Sequence, residues 1–224
     1  MDLYSFIISN KEIFKALYAA LIVLICLVIV LRSHKLFKLS SHPGIRYFRN
    51  AFFFFGLGFA SRYFLKFFLD NSTLHPYSFI PIILFNFFVV MAGFFLLYSL
   101  IWKKVDNTSP RSSLFNTKIS LFYLFALIIV MLDYLWNMYT LMFISQIIVF
   151  IFASSIGFAN TRKKKNTTSN LFFVAMLLSL LAWVLNSLAV LFFEWNTVVI
   201  VNVYMLNTIF FLLFLYGVVK STKN

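Results

Sequence analysis

Long apolar runs separated by short polar stretches make up most of the chain. Each run is close to the roughly 20 residues that a helix needs to cross the hydrocarbon core of a bilayer. The runs lack the strict alternation of apolar and polar residues that barrel strands show, so they predict helices. A window of that length predicts seven segments: Glu12 to Leu31, Ile45 to Leu69, Tyr77 to Trp102, Ser120 to Trp136, Tyr139 to Phe158, Leu171 to Phe193 and Val198 to Val219.

The fourth and fifth segments are separated only by the short amphipathic stretch LDYLWNMYT, residues 132–140. If this stretch is no break, the chain crosses the membrane six times instead of seven. With the break, the sequence predicts an all-α, polytopic membrane protein of seven transmembrane helices. Residues 1–224 then form one helical-bundle domain.

The composition supports this class and excludes several kinds of site. Of the 224 residues, 62% are hydrophobic and 11% are charged, which is far from the balance of a soluble globular domain. The single cysteine, Cys26, excludes a thiolate metal cluster. His34 and His42 fall in the first predicted cytoplasmic loop and His75 falls outside, so the three histidines cannot meet at one metal. The sequence carries no HExxH or GxSG motif and no carboxylates one helical turn apart. We therefore expect no enzyme, no metal and no cofactor.

The charges between the segments predict the orientation. With seven crossings, one side holds 15 of the 19 cations, and the other side holds five of the six acids. The positive-inside rule then places the N-terminus outside and the C-terminus in the cytoplasm, in the plasma membrane. The net charge of +13 is thus explained by topology and does not predict nucleic-acid binding. The basic side consists of Arg32, Lys35, Lys38, Arg46, Arg49, Lys103, Lys104, Arg111, Lys118, Arg162, Lys163, Lys164, Lys165, Lys220 and Lys223.

Two cations lie on the side where acids dominate. Arg62 and Lys66 are one helical turn apart on one face of the second predicted helix. We predict that they pair with Asp133 and Glu194 as an outer charge cluster, because an unpaired charge near hydrocarbon is costly. The alternative is that both side chains extend to the lipid headgroups.

Carboxamide side chains share one layer in the outer half of the predicted bundle. At 1.5 Å per residue they lie roughly 6 to 14 Å below the predicted outer helix ends. Trp183 is one turn from an asparagine of the sixth helix, so its indole can point at the same cavity. The predicted solute-binding residues are Asn86, Gln146, Trp183, Asn186, Asn202 and Asn207. The alternative is that these amides join helices, contributing about 1 kcal/mol each.

A weak internal repeat connects the third and seventh helices. At a constant offset of 116 residues, Asn86 matches Asn202 and FFLL at Phe94 matches FFLL at Phe210. This pattern predicts two parallel three-helix repeats joined by the fourth helix.

Seven helices, matching asparagines in the third and seventh, and a tryptophan in the sixth resemble the SWEET and PQ-loop solute transporters. The resemblance implies that Asn86, Asn202 and Trp183 line a substrate cavity. The chain departs from that family because none of its four prolines lies in the first or fifth helix, where the family has its hinges. We therefore treat the likeness as an architectural analogy.

Two functions follow from these patterns. The first is binding or passive transport of a small polar solute through a carboxamide-lined cavity in the outer half of the bundle. A passive route is favoured because no carboxylate lies near the middle of a predicted span. The alternative is a non-catalytic membrane subunit or seven-helix sensor that docks a cytoplasmic or membrane partner, with membrane lipid and a second copy as further contacts.

Overall fold

The computed structural model describes residues 11–70, 79–105, 114, 117–136, 140–163, 167–193 and 197–223. The regular structure of these residues is helical throughout, as the sequence predicts. The seven main helices are α1 (Lys11–Ser40), α2 (Pro43–Ala60), α3 (Ile80–Val105), α4 (Thr117–Leu135), α5 (Thr140–Lys163), α6 (Thr167–Phe193) and α7 (Thr197–Lys223).

Helix α2 continues past Ala60 through a π-helical turn, Ser61–Leu65, into the short helix Lys66–Asp70. The Ser61 hydroxyl donates a hydrogen bond of 2.8 Å to the carbonyl of Gly58, at the junction. The predicted segment from Ile45 to Leu69 is therefore one helical rod interrupted by a π turn. Such turns frequently occur at functional sites, because the extra residue re-aims the side chains around it.

Six helices of the described residues are long and apolar enough to cross a bilayer: α1, α3, α4, α5, α6 and α7. Large apolar side chains such as Leu24, Leu124 and Phe152 point outwards from them, as lipid-facing residues do. The chain is a helical, multi-pass integral membrane protein. Helix α2 is not among the six, because Arg46 and Arg49 reduce its apolar length and the π turn ends its α-helical part.

The stretch at 132–140 does separate two helices. Helix α4 ends at Leu135, and α5 begins at Thr140. The Asp133 carboxylate accepts hydrogen bonds from the backbone N–H groups of Leu141 (2.9 Å) and Met142 (2.7 Å). It thereby caps two of the N–H groups that the first turn of α5 leaves without a partner.

We expect the Asp133→Ala variant to be less stable by about 1 to 2 kcal/mol, because one buried and one partly buried N–H group lose their acceptors. Asp133→Asn retains one acceptor oxygen and should lose less. The difference is measured as the melting temperature in maltoside detergent, taken from the fraction of protein that stays monodisperse after heating. An Asp133→Ala variant that melts with the wild type would show that the cap contributes nothing.

Six helices form a closed ring. Helices α1, α2, α3, α5, α6 and α7 each pack against the next, and α7 packs against α1. Helix α4 packs on the outside, against α3 and α5. In this order α1 lies opposite α5, α2 opposite α6, and α3 opposite α7. Two three-helix repeats joined by α4 would produce the same order; the repeat itself stays a prediction.

Candidate functional site

Two adjoining cavities lie inside the ring at the end that carries the π turn. One has a volume of about 50 Å³ and the other about 180 Å³. Arg62, Phe85, Met142 and Phe143 line both, so the two form one site. We call it the Arg62 site; its further lining residues used below are Tyr18, Tyr63, Lys66, Asn86, Trp183, Asn186, Tyr204 and Asn207.

Three tyrosines from three parts of the chain form one wall of the Arg62 site. The ring of Tyr18, on α1, stacks on the ring of Tyr204, on α7, with centroids 4.1 Å apart and planes 9° from parallel. The hydroxyls of Tyr63 and Tyr204 lie 3.2 Å apart and share a hydrogen bond. Tyr63 belongs to the π turn. The wall is therefore apolar over its ring faces and polar at its hydroxyls, which suits a polar ligand with an apolar part.

The π turn also positions the cations. The Arg62 guanidinium lies 4.6 Å from the centroid of the Phe85 ring, close enough for a cation–π interaction. Lys66 follows one turn later, is exposed, and lines the larger cavity. No acidic side chain of the described residues lines either cavity.

The predicted outer charge cluster is only partly described. Asp133 lines neither cavity, and its carboxylate accepts the two N–H groups at the start of α5. Glu194 lies outside the described residues. The pairing of Arg62 and Lys66 with these acids therefore stays a prediction.

Three of the predicted carboxamides line the Arg62 site, and a fourth, Gln146, lines neither of its cavities. Asn86 lines the larger cavity, and Asn186 and Asn207 line the smaller one. The Asn186 amide donates to the carbonyl of Ala182 (2.8 Å) and to Oδ1 of Asn207 (3.3 Å). The Gln146 amide is buried one turn below Phe143. Their role in binding stays a prediction.

Gln146 packs directly against α3. Its Nε2 donates to the carbonyl of Val89 at 3.3 Å. A Cβ atom at Gly93 would lie 2.7 Å from Oε1 of Gln146, so a larger residue at this position would require the amide to shift. The sixth predicted residue, Asn202, lies on α7, but its side chain is outside the described part of the chain.

Several polar atoms around the Arg62 site are buried without a hydrogen-bond partner. They are Oδ1 of Asn86, Oε1 of Gln146 and Nε1 of Trp183. Buried polar atoms almost always have a partner, and a missing one costs roughly 1 to 3 kcal/mol. Elsewhere in the described residues, only the hydroxyls of Ser33 and Ser154 share this state. Two of these atoms, on Asn86 and Trp183, belong to residues that line the site.

The three tyrosines of this wall were not among the site residues predicted from the sequence. For Tyr18 a signal existed, because it is a lone hydroxyl in the apolar run ALYAALIVL. For Tyr63 and Tyr204 no comparable signal existed in a chain with 32 phenylalanines and 11 tyrosines. Which aromatic ring faces a cavity depends on the rotation of its helix, and the π turn changes that rotation for Tyr63.

The Arg62 site combines aromatic, polar and positively charged side chains. Among the described residues, no group of three or more histidine, cysteine, aspartate or glutamate side chains is placed to hold a metal ion. The lining residues provide aromatic surface, hydrogen-bond donors and acceptors, and positive charge. No family model, no curated protein and no solved structure matches this chain.

Proposed function

We propose that the protein is a carrier or channel of the plasma membrane, with seven crossings and the Arg62 end outside. It binds a small polar solute in the Arg62 site and lets it cross passively. The observation that carries this proposal is the cluster of unpartnered buried polar atoms around the site. Amides that only join helices would bond both their oxygen and their nitrogen, whereas Asn86 and Gln146 each leave a carbonyl oxygen unused.

The shape of the site supports small ligands. Ligand sites are typically concave and mostly apolar, with a few convergent polar groups that fix orientation. Here Phe85 and Phe143 provide the apolar surface of both cavities, and Asn86 and Trp183 provide buried polar atoms. The volumes of about 50 and 180 Å³ admit a solute of a few heavy atoms.

A third cavity, at the end of the ring opposite the Arg62 site, supports transport rather than binding alone. It has a volume of about 390 Å³ and is lined by residues of the same six helices. Its polar lining includes Ser33, Ser99, Asn160 and Ser221; we call it the Ser33 cavity. Cavities at both ends of one ring are expected of a solute path that is closed in the middle.

Phenylalanine rings lie between the Arg62 site and the Ser33 cavity and close the proposed solute path. Phe52 and Phe214, which we call the phenylalanine plug, are each 1% exposed, and their centroids lie 5.1 Å apart. On one side Phe52 packs on Phe55 of the Arg62 site at 6.0 Å. On the other side it packs on Phe48 of the Ser33 cavity at 4.8 Å. Rotation of these rings would join the cavities without breaking a hydrogen bond.

Solute entry into proteoliposomes tests the proposed function. Stopped-flow light scattering would follow glycerol, urea, lactate and inorganic phosphate, with protein-free liposomes as the blank. We expect at least one probe to enter through the protein in a saturable way. Failure of all four to exceed the blank would contradict the proposal.

The Trp183→Phe variant tests whether the site carries that flux. It keeps an aromatic ring and removes the unpartnered Nε1 donor, so flux should fall roughly three- to tenfold with little change in melting temperature. Ser154→Ala is the matched control, because it removes another buried, unpartnered group, and Ser154 lines neither the Arg62 site nor the Ser33 cavity. Equal flux in wild type and Trp183→Phe would show that the solute does not contact this indole.

A further inference from the structure

We propose that the Ser33 cavity binds a second ligand: a small, neutral and mostly apolar molecule that carries a hydroxyl group, such as an alcohol or a phenol. This ligand differs from the polar solute of the Arg62 site, so the inference goes beyond the proposed function. The cavity measures about 390 Å³ and lies inside the ring, where all six ring helices contribute to its lining.

The hydroxyl of Ser33 is the first observation behind this inference. Ser33 lines the cavity and is fully buried, and its Oγ has no hydrogen-bond partner among the described residues. A serine within a helix can donate to a carbonyl of the preceding turn, as Ser99 and Ser221 of the same cavity do, at 2.6 and 2.9 Å. Ser33 makes no such bond. It can therefore both donate to and accept from a ligand, and a ligand hydroxyl matches both roles.

Aromatic and aliphatic side chains form most of the remaining lining. Phe48 and Phe172 pack edge to face, with centroids 5.7 Å apart and planes at 85°, and both line the cavity. Met176 and Val218 add aliphatic surface. An apolar ligand gains free energy by leaving water for such a lining. A charged group buried against it would lose its hydration, which costs far more than burying a hydroxyl that is hydrogen-bonded. The ligand is therefore neutral.

The volume of the cavity sets the size of the ligand. An apolar cavity of about 150 Å³ is enough to bind benzene. The Ser33 cavity is more than twice as large, at about 390 Å³, so it admits a substituted ring or two fused rings. Asn160 lines the cavity and is exposed, so the lining reaches the protein surface there. A ligand can enter at that point without unfolding a helix.

Trp102 can report whether the cavity is occupied, because it packs against two residues of the lining. A Cβ atom at Gly44 would lie 2.7 Å from Nε1 of Trp102. The ring of His42 lies 5.1 Å from the ring of Trp102, edge to face. Gly44 and His42 both line the cavity. A bromine atom bound in the cavity would therefore lie close to the indole, and bromine quenches indole emission only at short range.

Titration with bromobenzene derivatives tests the inference. The full-length protein with Trp136→Phe, Trp183→Phe and Trp195→Phe keeps Trp102 as its sole tryptophan. In maltoside micelles, 4-bromobenzyl alcohol should quench Trp102 along a saturable curve, and unbrominated benzyl alcohol should restore the emission. 4-Bromobenzoate has the same ring and a negative charge, and it should give no saturable quenching. Saturable quenching by 4-bromobenzoate at the same concentrations would overturn the neutral ligand.

A cavity-filling variant separates the site from the surrounding micelle. Gly157 lines the cavity, and a Cβ atom there would make ordinary contact with Phe173, at 3.4 Å. Gly157→Leu should therefore fold, since leucine favours helix more than glycine does, and its side chain should occupy the space of the ligand. We expect it to abolish the saturable quenching. Quenching that Gly157→Leu leaves unchanged would come from probe in the micelle and would overturn the site.

Ser33→Ala tests the hydroxyl with two probes. It should raise the half-saturating concentration of 4-bromobenzyl alcohol by about three- to tenfold. It should not change that of 4-bromotoluene, which has no hydroxyl. Both probes partition into the same micelles in every variant, so the comparison between variants cancels partition. Ser154→Ala is the matched control, because Ser154 is another buried, unpartnered helical serine and lines none of the three cavities.

Three outcomes would overturn the assignment. Equal shifts for both probes in Ser33→Ala would show that the hydroxyl does not contact the ligand, and so would an equal shift in Ser154→Ala. Displacement of 4-bromobenzyl alcohol by phosphatidylglycerol, but not by benzyl alcohol, would assign the cavity to a lipid. The binding assay is independent of the flux assay. Binding without any solute flux keeps this site and rejects the carrier, whereas flux without binding keeps the carrier and rejects this site.

Discussion

Phe52→Ala is expected to turn a controlled route into a leak. Phe52 is 1% exposed and lies between the Arg62 site and the Ser33 cavity. Truncating a buried phenylalanine leaves a space that the surroundings fill only in part. That space would connect the two cavities, so entry of the smallest probes, glycerol and urea, should rise by about tenfold or more and lose saturation.

Phe54→Ala is the matched control for this prediction. Phe54 lies on the same helix and is also buried, but it packs on Phe88 and Phe95 of α3, away from the phenylalanine plug. Both variants should lose stability by about 3 to 5 kcal/mol, because both remove a packed ring. Only Phe52→Ala should leak. Equal leakage from both would attribute the effect to loosened packing and contradict a path through the ring.

Asn86→Leu is expected to abolish solute flux while the protein remains as stable as the wild type, or becomes more stable. The variant keeps the branching and the number of heavy atoms of the side chain and removes a buried carbonyl that has no partner in the chain. Removing an unsatisfied polar group relieves its desolvation cost of roughly 1 to 3 kcal/mol. The same change removes a solute contact, so flux should fall by about tenfold or more. Flux and melting temperature are measured on one preparation.

Asn186→Leu is the control variant for loss of an amide that joins two helices. The Asn186 amide donates to Ala182 and to Asn207, so its removal breaks two hydrogen bonds, one of them between α6 and α7. Its melting temperature should fall clearly below that of Asn86→Leu. If Asn86→Leu destabilises the protein as much and leaves flux unchanged, Asn86 joins helices and does not bind a solute.

Axial positions were predictable from the sequence because the rise per helical residue is fixed. For this reason the sequence could place Asn86, Asn186 and Asn207 in one predicted layer, and in the structure these residues and Trp183 line two adjoining cavities. Helix extent was less predictable, because hydropathy reports where lipid ends rather than where a helix ends. Helix α1 continues from Leu31 to Ser40 through Arg32, Lys35 and Lys38, residue types that favour helix.

Features that depend on helix rotation were not predictable. Nothing in SRYFL, residues 61–65, indicates that this stretch forms a π turn, since its residues suit an α-helix equally well. The π turn sets where Arg62 and Tyr63 point, and with them the cation and part of the tyrosine wall. The order of helices in the ring also depends on pairwise packing, which hydropathy does not encode.

Electron density at the Arg62 site tests the central claim most directly. Crystals grown in a lipid mesophase, with and without the probe that enters the proteoliposomes fastest, would show what contacts Oδ1 of Asn86, Oε1 of Gln146 and Nε1 of Trp183. We expect ordered water at these atoms without the probe, and atoms of the probe in place of that water when it is present. A dry site under both conditions, with Oδ1 of Asn86 and Oε1 of Gln146 bonded to protein atoms, would contradict the proposed function.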